Sequence, residues 1–300
     1  MIDITHINKS YGDLQALHDV SFSVAEGEIF GLIGPDGAGK TTLFRILATL
    51  MLADDGQVTM LGRDVVSDYI YLRSQIGYMP GRFSLYQDLT VEENLQFFAT
   101  LFGMTIELGF QLIEPIYRQI EPFKNRRAGK LSGGMKQKLA LCCALIHQPK
   151  VLLLDEPTTG VDVVSRSEFW DMLSELKQQG MTILVSTPYM DEASRCDRIA
   201  LINKGTILNA NTPQGMVESF VQNLYALGGS NMYNMLLHSR KYEHTHSIYS
   251  FGDVSHLSVS DSFDRNHYMA YMYAAGFTDC TLQSIEPSIE DVFISLTSNE

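Results

Sequence analysis

Hydrophobic and polar positions follow two different periods along the chain, and these periods predict where strands and helices lie. Near the start, three short runs have the pattern of strands: IDITHI from Ile2, ALHDVSFSV from Ala16 and EIFGLIG from Glu28. The third run leads through glycines into TTLFRILATLM, whose apolar residues have helical spacing, and QVTML from Gln57 predicts another strand. Strands that alternate with helices favour an α/β fold with a mainly parallel sheet.

The middle of the chain is mostly helical in pattern and then returns to strands. Helical spacing runs from about residue 90 to 148, as in TVEENLQFFATLFG. VLLLDEP, from Val151, is continuously apolar before its acids, which is typical of a parallel strand covered on both faces. The next helix, SRSEFWDMLSELKQQG, is predicted to begin at an N-cap Ser165 and to stop at Gly180. MTILVST and RIALINKGTIL predict further strands, and the stretch from Val185 predicts a strand end, a turn and a helix.

The pattern changes again near Pro213. The remaining runs have the order strand, helix, strand, strand, helix, strand, and Gly252-Asp253 fits a two-residue hairpin turn between two of them. This order predicts a small ferredoxin-like α+β unit, followed by a final helix, SIEDVFISLT, after Pro287. We therefore predict two domains, residues 1–215 and 216–300.

Composition narrows the functional class. The chain has 300 residues, 45% of them hydrophobic, so it has the apolar material for a core. Its net charge of −13 disfavours nucleic acid as a partner, because proteins that bind nucleic acid carry basic surfaces. The four cysteines show no CxxC pairing, which favours reduced, buried thiols. No apolar run is as long as a membrane-spanning helix and the start lacks the pattern of a signal peptide, so a membrane role would require a partner.

GPDGAGKTT is the strongest candidate for a nucleotide-binding segment. It fits the phosphate-loop pattern G-x-x-x-x-G-K-[ST], and it lies between a predicted strand and a predicted helix, as that motif requires. Backbone N–H groups of such a loop and the helix N-terminus bind phosphate oxygens. Lys40 is predicted to pair with the β- and γ-phosphates, and Thr41 to offer its hydroxyl to Mg²⁺. The predicted ATP contacts in this segment are Gly34, Pro35, Asp36, Gly37, Ala38, Gly39, Lys40, Thr41 and Thr42.

Two further segments complete the candidate chemistry. VLLLDEP places Asp155 at the end of a buried strand, where a carboxylate can hold Mg²⁺, and Glu156 next to it can polarise an attacking water. KLSGGM places a serine and two glycines before a helix, which makes a second anion site. Because one nucleotide rarely needs two such sites, we expect this one to face a nucleotide held by another subunit. Its residues are Leu131, Ser132, Gly133, Gly134 and Met135.

Over about residues 1 to 215 the chain resembles the ATP-binding subunits of ABC transporters. GPDGAGKTT, LSGGM, LLLDEP and TTGVD look like the phosphate loop, the signature, the Mg²⁺-binding strand and the D-loop, which contains Asp162. The resemblance implies a RecA-like α/β core, an antiparallel β region and a helical subdomain at about residues 90–148. It also implies that Tyr11 stacks on adenine. Two such units are expected to pair head to tail, each nucleotide lying between one phosphate loop and the opposite signature.

The tail IEPSIEDVF, together with GPDGAGKTT and STPYMDEA, is similar to the first cassette of tandem drug-efflux ATPases of the ABC-2 type. This likeness implies an exporter with ATP and Mg²⁺ as cofactors. The implied partners are ABC-2-type membrane permease subunits and a second ATP-binding subunit, identical or not. The implied location is peripheral, on the cytoplasmic face of the inner (plasma) membrane.

Two positions depart from the family pattern. Gly81 stands where the family usually has a glutamine near Mg²⁺ and the water, and Pro188 stands at the switch-histidine position. They are either tolerated substitutions or the sign of a site that binds ATP firmly and hydrolyses it slowly. The intact signature could still complete a competent site on a partner. The alternative functions are a soluble ABC ATPase acting on nucleic acid or ribosomes, and a regulatory subunit that does not hydrolyse ATP.

Overall fold

The computed structural model describes residues 1–298, and the chain divides into two compact units that meet between Pro213 and Gln214. The strands of the first unit are β1 Ile2–Tyr11, β2 Leu14–Val24, β3 Ile29–Ile33, β4 Asp55–Met60, β5 Arg63–Asp64, β6 Ile76–Met79, β7 Val151–Asp155, β8 Thr182–Thr187, β9 Arg198–Asn203 and β10 Thr206–Asn211. Its helices are α1 Lys40–Leu47, α2 Tyr69–Arg73, α3 Val91–Leu101, α4 Ile106–Tyr117, α5 Gly133–Leu145 and α6 Val163–Gln178, and α7 Pro213–Glu218 lies at the boundary.

A six-stranded sheet forms the centre of the first unit. Its strand order is β10-β9-β3-β8-β7-β6, and all pairs are parallel except β10 with β9. Every residue of β3, β7 and β8 is buried, which explains the apolar runs in β3 and β7 and the apolar centre of β8. Because these strands are parallel, the segments that follow them emerge at one edge of the sheet. The loop after Ile33 therefore lies near Asp155 and Thr187.

Two smaller layers accompany this sheet. Strands β2, β1, β4 and β5 form an antiparallel sheet in that order, and its apolar residues share a core with the central sheet. Helices α3, α4 and α5 lie between β6 and β7 in sequence and contact one another. A capping box between Thr90 and Glu93 starts α3, which gives this region a defined first helix. The predicted α/β class with an antiparallel β region and a helical subdomain is confirmed.

Two local expectations were wrong and a third was met. The N-cap of α6 is Asp162, whose carboxylate accepts a hydrogen bond from the Ser165 N–H at 3.0 Å, so Ser165 lies inside the helix. An aspartate is favoured there because its charge also interacts with the helix dipole. The first helix stops at Leu47, where Thr49 with φ 59° breaks the helical path. The strand end, turn and helix predicted from Val185 are present, and the helix is a short 3₁₀ helix, Met190–Arg195.

The second unit has its own sheet and core. Its elements are β11 Asn223–Gly228, α8 Met232–Ser239, β12 Thr245–Phe251, β13 Val254–Val259, α9 Arg265–Ala274, β14 Thr281–Ser284 and α10 Ile289–Thr297. The sheet order is β12-β13-β11-β14 with every pair antiparallel, as in a ferredoxin-like unit. Phe251 pairs with Val254 across the two-residue turn, in which Gly252 has φ 54°. Within residues 1–298, no helix is both long and apolar enough to cross a membrane.

Candidate nucleotide-binding site

The phosphate loop runs from the end of β3 to the start of α1, and its glycines are required by close backbone contacts. A Cβ atom at Gly34 would lie 2.1 Å from the carbonyl oxygen of Ile202, and one at Gly39 would lie 2.5 Å from that of Ala16. Gly39 also has φ 102°, a left-handed conformation that favours glycine. The loop is thus held against neighbouring strands, with the helix N-terminus behind it.

Lys40 is the first residue of α1, and its ammonium is buried in this loop. Its Nζ donates to the carbonyl oxygens of Gly34 at 2.8 Å and Pro35 at 2.9 Å, and it lies 3.0 Å from Glu156 Oε1. The N-cap of α1, Gly39, offers no side chain to the first N–H groups of the helix. A buried cation, uncapped helix N–H groups and a narrow glycine loop fit a polyphosphate.

Asp155 ends β7 inside a small polar cluster. Ser186 Oγ donates to Asp155 Oδ1 at 2.7 Å, and Thr41 also makes a side-chain hydrogen bond to this carboxylate. Burial raises the pKa of Asp155 above its ordinary value, Glu156 adds to the rise, and the bonds from Ser186 and Thr41 oppose it. A carboxylate beside a threonine hydroxyl is a donor set that suits Mg²⁺. The sequence analysis did not identify Ser186, because its contact with Asp155 depends on the pairing of β7 with β8.

Glu156 follows Asp155 in the sequence and has an unusual backbone conformation. Its φ is 50°, and its N–H donates to the carbonyl and the hydroxyl of Ser186, which fixes this turn. A non-glycine residue with positive φ costs free energy, and such residues concentrate at functional sites. The turn directs the Glu156 carboxylate toward Lys40, while Thr159 Oγ1 lies 3.5 Å from its second oxygen.

The two departures from the family pattern lie at the same edge of the sheet. A Cβ atom at Gly81 would lie 3.0 Å from the carbonyl oxygen of Asp155 and 3.7 Å from Glu156 Cβ. Pro188 follows Thr187, whose carbonyl oxygen accepts the Gly34 N–H at 3.3 Å. Both positions are therefore adjacent to the phosphate loop or to its acids, and neither supplies a hydrogen-bonding side chain.

The turn around Pro188 is held by a buried acid. Thr187 Oγ1 donates to Glu192 Oε2 at 2.5 Å, and the Tyr189 N–H donates to Thr187 Oγ1 at 3.1 Å. Arg166 lies over the Tyr189 ring and 3.8 Å from Glu192 Oε1. This network fixes the backbone after β8 without contributing a donor from position 188.

Tyr78 is a nearby group that the sequence did not indicate. Burial, together with the charge of Asp155, raises the pKa of Tyr78 to about 12, and Arg45 opposes the rise. Like an ordinary tyrosine, Tyr78 is protonated at neutral pH, so its hydroxyl can act as a donor.

The signature segment lies apart from the phosphate loop in sequence and adjoins the start of α6. Ser132 is the N-cap of α5 and accepts from the Met135 N–H at 3.4 Å. Ser132 and Gly133 are exposed, whereas Leu131 is buried. A Cβ atom at Gly134 would lie 2.7 Å from Ser165 Oγ, so a side chain there would collide with α6. The exposed Ser132 and Gly133 therefore lie at the N-terminus of α5, a position at which a helix can bind an anion, and their role in binding a partner's nucleotide stays a prediction.

Tyr11 and Gln87 are two further residues that the sequence places near the candidate site. Tyr11 ends β1 with 43% of its surface exposed, and its hydroxyl donates to Met51 Sδ at 3.1 Å. Gln87 lies next to the segment that precedes the signature, where its carbonyl oxygen accepts the Gly129 N–H at 2.9 Å. Within residues 1–298, no group of three or more histidine, cysteine or acidic side chains could form a separate metal site.

Comparisons with known proteins agree with this site. A family model described as ABC transporter matches residues 17–159. The chain is 39% identical over 287 residues to the probable multidrug ABC transporter ATP-binding protein YbhF of Escherichia coli (strain K12). The aligned region covers 95% of this chain but 49% of that protein. It is 35% identical over 307 residues to the Nod factor export ATP-binding protein I of Rhizobium sp. (strain N33), covering 100% of this chain and 97% of that protein. The chain thus spans about half the length of one curated relative and nearly all of the other.

Solved structures give the same result for the first unit. An ATP-binding subunit of an ABC transporter superposes with a TM-score of 0.67 at 29% identity, covering 73% of this chain and 93% of that one. The dimeric bacterial ABC transporter cassette MJ0796 gives a TM-score of 0.64 at 26% identity, covering 71% of this chain and 98% of that one. With the phosphate loop, the acids that follow β7 and the signature in place, this chain belongs to the ATP-binding proteins of ABC transporters.

Proposed function

We propose that this chain is the ATP-binding subunit of an ABC-2-type exporter and drives its membrane permease subunits by binding ATP. The observation that carries this proposal is the position of Lys40, buried between two phosphate-loop carbonyls and Glu156. The export part rests on the relatives, whose names describe multidrug and Nod factor export.

Each residue of the site has a proposed role. The loop from Gly34 to Thr42 binds the phosphates through its N–H groups and Lys40, while the exposed ring of Tyr11 stacks on the base. Thr41 and Asp155 hold Mg²⁺, which when bound neutralises charge on the phosphate oxygens. Glu156 orients the attacking water and accepts its proton, which requires the carboxylate to leave Lys40.

Hydrolysis at this chain's own phosphate loop is proposed to be slow. Gly81 lies beside Asp155 and Glu156 but has no amide to orient water, and Pro188 has neither a side-chain nor a backbone donor. Losing one preorganised donor typically costs about 10²–10³ in rate. ATP binding does not depend on either position, so we expect firm binding with impaired turnover.

The signature is proposed to act on a second ATP-binding subunit. Ser132 and Gly133 are exposed at a helix N-terminus, and Asp162 caps the adjoining helix α6. In a head-to-tail pair these groups would close over the nucleotide held by the partner's phosphate loop. One of the similar solved structures, the cassette MJ0796, is dimeric, which supports the pairing of two ATP-binding subunits.

A large cleft supports a membrane partner. It has a volume of about 580 Å³ and lies beside Gly81 and Glu156, lined by apolar side chains that include Leu50, Phe98, Leu101 and Phe102. Leu50 and Leu101 are 58% and 63% exposed, so an apolar segment of a permease would gain by covering them. The chain would then be peripheral, on the cytoplasmic face of the plasma membrane. Nucleic acid is not a proposed partner, because the net charge is −13.

The binding of Mg²⁺-ATP by the full chain and by Lys40→Ala, measured by calorimetry, tests the assignment. We expect the dissociation constant to rise at least about tenfold, because the glycine loop alone cannot neutralise a triphosphate. Lys177→Ala is the matched control, since it removes a surface pair with Asp197. An unchanged constant for Lys40→Ala would overturn the assignment. The proposal that the chain serves an exporter is tested by co-purification: we expect a membrane protein, and not RNA or DNA, to co-purify with the chain.

A further inference from the structure

The end of β1 that carries Tyr11 has a neighbouring strand on one side only. Strand β1 pairs with β2 as far as Tyr11, which lies opposite Leu14. On its other side, the pairing of β1 with β4 ends at Asn8 and Asp55. Residues 9–11 therefore belong to a two-stranded hairpin, which is only marginally stable without further packing. Holding the Tyr11 ring in one orientation requires contacts from outside the sheet.

Asp54 supplies such contacts directly before Tyr11. Its Oδ1 accepts a hydrogen bond from Lys9 Nζ at 2.5 Å, and its Oδ2 accepts one from the Ser10 N–H at 2.7 Å. The Asp54 N–H in turn donates to the Asn8 carbonyl at 2.9 Å. The Lys9 side chain is mostly shielded from water, since it is 16% exposed. One carboxylate thus closes the open side of β1 at two consecutive residues.

Met51 contacts the aromatic residue itself. The Tyr11 hydroxyl donates to Met51 Sδ at 3.1 Å, and a thioether sulfur is a weak acceptor that also packs well against aromatic rings. The backbone before the ring is held by Asp54 and the hydroxyl by Met51, yet Tyr11 remains 43% exposed. A fixed and exposed ring suits a flat ligand, because little rotamer freedom is lost on binding.

The ring is close to the phosphate loop along β2. The Ala16 carbonyl lies against the loop, where a Cβ atom at Gly39 would be 2.5 Å from it. Leu14, opposite Tyr11, precedes Ala16 by two residues, which is roughly 7 Å along a strand. The ring and the loop are therefore spaced to hold the two ends of one nucleotide. Residues 51–54 follow α1, so the chain runs from the loop to the supports of the ring.

We propose that Met51 and Asp54 are positioning residues for the base of the bound nucleotide and that they act by holding Tyr11. This rests on the proposed function, in which Tyr11 stacks on that base. Stacking on an aromatic ring strengthens the binding of a base by a factor of about 5 to 150. The gain falls with the fraction of chains whose ring has the competent orientation. Releasing the ring should weaken the binding of ATP but not that of a phosphate chain without a base.

Two ligands separate these effects in the full chain: a non-hydrolysable ATP analogue, measured by calorimetry with Mg²⁺, and inorganic tripolyphosphate, measured by competition with the analogue. Tyr11→Ala should raise the dissociation constant of the analogue at least about fivefold and leave that of tripolyphosphate unchanged. Met51→Leu with Asp54→Ala should raise the constant of the analogue at least about threefold, again without an effect on tripolyphosphate. In the Tyr11→Ala background these two substitutions should have no further effect, because they act through the ring.

Asp55→Ala is the matched control, because it removes the same charge one residue away and its carboxylate accepts from the Gly56 N–H. It should leave both constants unchanged. Equal weakening of both ligands by the Met51 and Asp54 double variant would assign these residues to the phosphate loop or the fold and overturn the inference.

Two other results would also overturn it: a double variant that binds the analogue like the wild type although Tyr11→Ala does not, or an effect that persists in full without the Tyr11 ring. These results leave the proposed function intact. If Tyr11→Ala itself binds the analogue like the wild type, the proposed role of Tyr11 is wrong, and the inference is wrong with it. If the wild-type chain does not bind the analogue at all, the proposed function itself fails.

Discussion

Lys40 Nζ lies 3.0 Å from Glu156 Oε1, so the residue proposed to bind phosphate is paired with the residue proposed to activate water. A phosphate oxygen must compete with this carboxylate for the same ammonium group. The pair is well shielded, since the two side chains are 2% and 20% exposed. In the proposed mechanism Glu156 would therefore have two opposing effects, since it would favour hydrolysis but disfavour the nucleotide binding that precedes it.

The first prediction follows from this competition. Glu156→Gln should strengthen the binding of ADP at least about threefold, because it removes both the ion pair and the repulsion of phosphate by a nearby carboxylate. ADP is the appropriate ligand because its binding, measured by calorimetry, is not complicated by hydrolysis. Glu168→Gln, which breaks a surface pair with Lys138, serves as the control. Weaker or unchanged binding by Glu156→Gln would show that the pair does not oppose the nucleotide.

The second prediction concerns the two departures from the family pattern. Gly81→Gln with Pro188→His should raise the ATPase rate of the purified chain at least about tenfold, because two donors return to the site. The gain is limited by space, since a Cβ atom at residue 81 would lie 3.0 Å from the Asp155 carbonyl and the backbone must shift. Gly81→Ala with Pro188→His is the matched control, because it has the same Cβ contact without the amide. Equal rates for the two double variants would mean that the amide contributes nothing.

Local patterns predicted the strand, loop and helix around Lys40, because glycine backbone freedom and helix N-termini act over a few residues. The hairpin at Gly252 was predictable for the same reason. Ser186 was not, because its contact with Asp155 depends on the pairing of β7 with β8, and local periodicity does not specify which strands become neighbours. The pattern of hydrophobic and polar residues also could not decide whether Asp162 or Ser165 is the N-cap of α6, since both residue types are good caps.

The third prediction is a pH dependence at Asp155. Burial raises the pKa of this carboxyl in the folded chain. Above that raised pKa the group is ionised in both states, and its charge is less favourable in the folded state. Ionised Asp155 therefore lowers the free energy of unfolding. Asp155→Asn cannot ionise, and its amide oxygen can still accept the hydrogen bond from Ser186. The variant should therefore melt at a higher temperature than the wild type near neutral pH, without Mg²⁺ or nucleotide. The difference should shrink as the pH falls toward the unfolded value of about 3.9.

Calorimetric scans between neutral and acidic pH measure this difference. Asp171→Asn is the control, because Asp171 lies on the surface and pairs with Arg195. A variant that is less stable than the wild type at neutral pH would contradict the prediction and assign Asp155 a net stabilising role.

The fourth prediction concerns the second unit. Deleting residues 214–300 should leave a folded chain that binds ATP with unchanged affinity, because the phosphate loop, Asp155 and the signature all lie in the first unit. That unit has its own continuous core, as does the second. Circular dichroism and ATP calorimetry on the truncated chain are the measurements. A folded but non-binding truncation would show that the second unit contributes to the nucleotide site.

The last prediction separates the two halves of the composite site. In a head-to-tail pair, Lys40→Ala disables a chain's own phosphate loop, whereas Ser132→Arg blocks the site on its partner. Each variant alone should lose nearly all ATPase activity, because both sites of its homodimer are damaged. In a mixed pair, however, one site combines both lesions, and the other combines an intact phosphate loop with an intact signature. An equal mixture should therefore recover about a quarter of the wild-type rate, since half of the dimers are mixed and each has one working site.

Steady-state ATPase activity across a series of mixing ratios measures this recovery, which should be greatest at equal amounts. Rates that stay at the level of the single variants at every ratio would mean that Ser132 does not serve the partner's nucleotide.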